Sequence, residues 1–98
     1  MITVRLDEYV FESLMADLIG HDRMPSAYVV YLYLSWRVSG TRSRSVKASH
    51  QQIADDTGLS KSAVQTAVRH LARRKLLRSE RASITATPEH FVLRPWRR

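Results

Sequence analysis

The sequence predicts a mainly α-helical domain completed by a small pair of strands near the C-terminus. Three observations predict it. Apolar residues recur at spacings of three and four over 10–19 and 64–71, and crowd a helix-length segment over 28–36. Glycines fall where those runs end, at Gly20, Gly40 and just before Leu59. Past Arg73 the pattern shortens to Leu76-Leu77 and Phe91-Val92-Leu93 on either side of a polar tip, which reads as a hairpin.

A length of 98 residues gives one domain, 1–98, with room for a single modest core. Hydrophobic residues at 44% and charged residues at 26% are globular proportions and exclude a disordered chain. The absence of cysteine excludes a disulfide scaffold, a thiolate zinc site and a cysteine nucleophile. The longest apolar run, Ala27 to Leu34, is far short of the roughly 18–20 residues that cross a bilayer. Asp7, Glu8 and Glu12 come too early for a secretory leader, so a cytoplasmic protein without a membrane partner is expected.

Charge is unevenly placed. Residues 1–40 set Arg5, Arg23 and Arg37 against Asp7, Glu8, Glu12, Asp17 and Asp22, whereas every other basic residue lies in 41–98, which holds four acids. An acidic end and a strongly basic end suggest two surfaces with different partners, and the basic one suits nucleic acid or an anionic membrane.

In chain order, Ile2, Val4 and Leu6 alternate with Thr3 and Arg5, as in a short strand or an extended arm. Val10, Phe11, Leu14, Met15, Leu18 and Ile19 then form the apolar stripe of an amphipathic helix within an N-terminal extension, 1–24. Pro25 or Ser26 opens a second helix to about Ser39, apolar nearly all round and therefore central. Its aromatics are core or interface packing rather than a base-stacking platform, because no basic residue interleaves with them before Arg37. TRSRSVK, from Thr41, is a basic loop able to touch phosphate, with a short strand around Val46.

Residues 49–77 carry the functional information. Ser49 and Gln52 read as a capping box, Ile53 and Ala54 face inward, and Gly58 supplies the left-handed residue of a sharp turn. Leu59 plugs the angle between helices, and Ser60 caps a third helix whose buried stripe is Val64, Ala67, Val68 and Leu71. Two short helices joined by a three-residue turn make a helix-turn-helix, whose second helix characteristically lies in the major groove of DNA. Outward it presents Lys61, Ser62, Gln65, Thr66, Arg69 and Arg73, with no acid anywhere from Ser60 through Ser79. A helix seeking only solubility would mix glutamate with lysine there.

The segment IADDTGLSKSAVQTAVRHLARRKLL resembles the winged helix-turn-helix pattern shared by bacterial MarR-type and GntR-type regulators and by plasmid or phage replication proteins. The detailed likeness covers 49–77 and a looser one 25–95, the core of the domain. Lys75 departs from it, standing where many members place glycine. The resemblance implies a winged helix-turn-helix with an extra N-terminal helix. The wing's first strand would run from Leu76 through Arg81, its tip from Ala82 to Pro88, and its return through Leu93, with Arg78 or Arg81 on the DNA backbone.

The expected function is therefore sequence-specific binding of double-stranded DNA by a small transcriptional regulator. Ser60 would hold a phosphate at the helix N-terminus, with Lys61, Ser62 and Thr66 beside it. Gln65 is suited to adenine and Arg69 to guanine, while Arg73, Arg74 and Lys75 would anchor phosphates or cap carbonyls. The apolar surplus of the N-terminal helices suggests a homodimer. A plasmid or phage replication or partition protein, and a winged-helix protein-interaction module, are the alternatives. No enzyme is expected, since Asp55 and Asp56 diverge on their helix and no nucleophile set or phosphate loop is present. The four histidines show no ligand spacing, so no metal or cofactor is expected, and the chain is too short for a separate small-molecule domain.

Overall fold

In the computed structural model, which describes residues 3–97, the helix Pro25–Val38 (α1) is the post on which everything else packs. Proline at its first turn supplies a fixed φ where no N–H partner is needed. Ala27, Val30, Tyr31, Leu34 and Val38 along it are all but fully buried. Tyr28 and Tyr31 bury their rings while their hydroxyls donate to the carbonyls of Val10 (2.9 Å) and Leu93 (2.8 Å). The post thereby holds both ends of the chain.

Beyond α1 come strand β1 (Ser45–Lys47), helices α2 (His50–Thr57) and α3 (Lys61–Arg73), and strands β2 (Leu77–Glu80) and β3 (Glu89–Val92). The strands form one antiparallel sheet of order β1-β3-β2. Val46, His90 and Ser79 stand in one row across it, and Lys47, Glu89 and Glu80 in the next. Buried His90 ties the sheet to the segment leading into α2, with Nε2 2.9 Å from the Ala48 carbonyl, and binds β2 through Nδ1 2.7 Å from the Ser79 hydroxyl. The strand expected around Val46 is present. Of the hairpin strands, β2 is shorter than expected, Leu77–Glu80 instead of Leu76 through Arg81, and β3 starts earlier, running Glu89–Val92 instead of Phe91 to Leu93. Val4 and Leu6 form no strand, and Ile2 and Arg98 lie outside the described residues.

The N-terminal helix departs from expectation in its winding. Over Val10–Leu14 and again over Ala16–His21 it is a π-helix, with N–H groups bonding five residues back. One line of residues four apart is turned inward. Val10, Leu14 and Leu18 form that line and are buried, while Phe11, Met15 and Ile19 stay 48%, 38% and 38% exposed. Half of the predicted stripe is thus a surface.

This helix is tied to α3 by charge. The Asp22 carboxylate, 7% exposed, lies 2.8 Å from His21 Nδ1, 2.7 Å from His70 Nε2 and 3.2 Å from Arg74 Nε. Arg74 also reaches Asp17 at 2.8 Å. Arg74 is therefore engaged within the protein, a partner set that the expected phosphate-anchoring or carbonyl-capping role did not include. The α3 C-terminus closes with Lys75 in the left-handed region (φ 58°), its N–H on the Ala72 carbonyl and that of Leu76 on the Leu71 carbonyl. These two bonds make a Schellman cap, whose left-handed position favours glycine.

Two outcomes follow from these helix ends. Lys75→Gly relieves a left-handed strain of about 1–2 kcal/mol and loses part of that to a looser unfolded chain. A net gain of about 0.5–1 kcal/mol, read as a raised Tm in thermal denaturation, is expected. The hydrogen bonds from His21 and His70, reinforced by Arg74, hold the Asp22 carboxyl below its ordinary value against the effect of burial. Its stabilising contribution is complete above the unfolded value, about 3.9, and is lost as pH falls through the lower folded value. Asp22→Asn should cost about 1–2 kcal/mol at pH 7 in urea unfolding, with the gap to wild type closing as pH falls below about 4.

Candidate nucleic-acid interface

The α2–α3 pair is built from local rules. Ser49 caps α2 by accepting the Gln52 N–H at 3.0 Å, and Ser60 caps α3 by accepting that of Ala63 at 3.1 Å. The Gln52 side chain is exposed and makes no return bond to Ser49, so the expected capping box is half formed. Between the helices Gly58 adopts φ 82°, and Leu59 is half-buried against the core. Val64, Ala67, Val68 and Leu71 all point inward. Truncating the fully buried Leu71 to alanine would cost about 2–5 kcal/mol.

With that stripe buried, Lys61, Ser62, Thr66, Arg69 and Arg73 are exposed on α3, and Gln65 is half-buried. Ser60 caps the helix and its Oγ lies 3.2 Å from that of Ser62. His70 is turned away from this face by its contact with Asp22. The expected divergence of Asp55 and Asp56 is present: Gln51 Nε2 donates to Asp55 at 2.8 Å, and the Tyr33 hydroxyl donates to Asp56 at 2.5 Å.

The two arginines expected on the hairpin part company. Arg78 lies on the outer side of the sheet, paired with Glu80 and stacked 4.1 Å above the Phe91 ring. Arg81, just past β2, turns toward α3, and its NH1 donates to the Ile84 carbonyl at 3.1 Å. It lines an open cleft of about 270 Å³ together with Ser49, His50 and Gln51 of the α2 start, Lys61 and Gln65 of α3, and the β2–β3 loop through Pro88. No carboxylate is among the residues lining this cleft.

His50 is the residue that the sequence pattern did not single out. Burial, followed by repulsion from Arg81, Lys61 and Arg69, pushes its imidazole below the ordinary histidine value. His50, Lys61 and Arg81 thus bring three basic groups from three elements to one opening. The only sequence signal of His50 is a place beside the Ser49 cap. Ile84, 91% exposed at the loop tip, likewise escaped notice.

The chemistry on offer is recognition: a cationic opening bordered by two helix N-termini, amide and hydroxyl donors, and an apolar tip. Among the described residues no cluster of His, Asp or Glu is arranged to hold a metal ion, and no helix is long and apolar enough to cross a membrane. Comparison with family models, with curated proteins and with solved structures gives no match to this chain.

Proposed function

We propose that the chain is a winged helix-turn-helix protein that binds double-stranded DNA in a sequence-specific manner and acts as a small transcriptional regulator. One observation carries the reading: Lys61, Arg81 and His50 converge from α3, the hairpin loop and α2 on a cleft that no carboxylate lines, with Arg69 exposed on the same helix as Lys61. A phosphate backbone entering there meets cations that repel one another in its absence, which is the electrostatic condition for counterion-releasing binding. In this reading α3 enters the major groove, Gln65 and Arg69 read base edges, and Lys61, Arg73 and Arg81 hold the backbone. Arg78 plays a lesser part because Glu80 already neutralises it.

The exposed line Phe11, Met15 and Ile19 supports a dimer built on the N-terminal helices. Two copies crossing antiparallel about Met15 would set Phe11 of one against Ile19 of the other and bring Glu8, which has no ion-pair partner among the described residues, near the partner's exposed Arg23. Such a two-fold assembly suits a palindromic site.

Binding titrations on a selected duplex and its scrambled form, each at two salt concentrations, test the DNA reading. Arg69→Ala should lose about 1–3 kcal/mol on the selected duplex alone, relaxing preference at one base pair. Arg73→Ala should weaken both duplexes equally and reduce the salt slope by about one. Equal losses on both duplexes from both variants would remove base reading from Arg69. For the dimer, sedimentation across a concentration series should show an association that Met15→Glu abolishes while thermal unfolding is preserved; a monomer at every concentration would refute it.

A further inference from the structure

A second cationic cleft lies at the end of the sheet remote from the hairpin tip. It is open, about 400 Å³, and lined by Arg5, Arg44, Arg94 and Arg97 together with Thr3, Ser39 and the lone carboxylate Asp7. Its volume falls within the range of small-ligand sites. None of the residues around it borders the α3 cleft.

Asp7 is already spent. Arg97 grips it with Nε at 2.8 Å and NH2 at 2.6 Å, and Trp96 donates its indole N–H at 2.8 Å. Trp96 is fixed in turn by stacking on Tyr9, with ring centroids 4.6 Å apart. Arg5, Arg44 and Arg94 have no ion-pair partner among the described residues. Three uncompensated guanidiniums thus share a concave wall.

Arg44 is strained as well as unpaired. Its backbone sits at φ 52°, a left-handed conformation that ordinary side chains avoid, and is pinned there by the Val92 N–H on its carbonyl at 2.9 Å. Its Nε is buried without a hydrogen-bond partner. The other buried side-chain polar atom lacking a partner among the described residues is Ser35 Oγ, which shares a small pocket with Arg44 just beneath the cleft. Buried polar atoms are nearly always satisfied, so the orphaned Arg44 Nε calls for an explanation. Burial and repulsion from Arg94 and Arg97 push the Arg44 guanidinium below its ordinary value, whereas Tyr31 and Asp7 oppose this.

We propose that this cleft binds a small phosphate-bearing anion, held by the guanidiniums of Arg5, Arg44 and Arg94 with Arg97 and Asp7 fixing the rim. Phosphate fits better than a carboxylate because it offers three or more acceptor oxygens and up to two charges to forked donors approaching from several directions. No residue spacing pointed to a small ligand, because the site is assembled from three separate stretches, 3–7, 39–44 and 94–97.

The test is calorimetric titration of the full chain with inorganic phosphate and with pyrophosphate in a phosphate-free chloride buffer. Saturable one-to-one binding is expected, weakened at least tenfold by Arg94→Gln and by Arg44→Gly, and unchanged within twofold by Arg69→Ala. Arg44→Gly suits the positive φ, so its Tm should equal or exceed wild type and loss of binding would not reflect unfolding. Arg94→Gln should retain wild-type affinity for duplex DNA. Absence of saturable binding overturns the proposal, as does a loss in Arg69→Ala equal to that in Arg94→Gln. Lost duplex affinity in Arg94→Gln without binding of free phosphate would instead assign the cleft to a nucleic-acid backbone.

Discussion

Packing of one stripe of α3 against α1 decides what the rest of α3 is able to do. Val64, Ala67, Val68 and Leu71 fix the rotation of the helix about its own axis, and a shift of one residue in that stripe would turn every outward side chain by about 100°. Ala67, without bulk, lets α3 come close enough for larger neighbours such as Tyr31 and Leu34 of α1 to be excluded from water. The cations at Lys61, Arg69 and Arg73 are exposed because the opposite side is fully committed. α1 is therefore as much a determinant of the interface as α3, although it contributes no residue to it.

Charge is arranged by the same logic of commitment. The acidic end and the basic end read from the sequence are partly one another's partners: Asp7 takes Arg97, Asp17 takes Arg74, and Asp22 takes Arg74 beside His70. The half-exposed pairs contribute little to stability because water and salt screen them. Their larger effect is on position. They remove Arg74 and Arg97 from the free basic surface and leave two separated groups of uncompensated cations, one at α3 and the hairpin loop, the other at the foot of the sheet. Net charge alone describes a single positive body, and the pairing divides it in two.

What the sequence made legible is what depends on neighbours three or four residues apart. The Ser49 and Ser60 caps, the left-handed Gly58 and the buried stripe of α3 are of this kind, and each is found where local spacing put it. The exposed ranks of Lys61, Ser62, Thr66 and Arg69 followed from that stripe by elimination. What escaped depends on contacts across the chain. The Tyr28 hydroxyl bond to the Val10 carbonyl, 18 residues away, is one such contact. The separation of Arg78 from Arg81 rests on sheet parity and on the pairing of β2 with β3, and His50 faces the interface only because the hairpin loop folds back over α2. Arg74, adjacent to a predicted contact, was claimed by acids more than fifty residues earlier.

Lys75 and Arg44 share an unusual backbone but differ in what their side chains do, and the comparison separates a helix ending from a site. At Lys75 the left-handed turn completes a Schellman cap, and the long side chain is in water, so the cost is the backbone strain alone. A lysine there needs no further reason. Arg44 carries similar strain, buries a guanidinium nitrogen without a partner, and faces two like charges. Each of these opposes folding, and the Asp7 carboxylate, already gripped by Arg97, offsets the repulsion only in part. Glycine would serve the backbone better and a smaller polar residue would serve the burial better. Stability therefore does not account for arginine at this position, whereas an anion that satisfied the guanidinium and its neighbours would offset the desolvation and the like-charge repulsion and leave the backbone strain alone uncompensated.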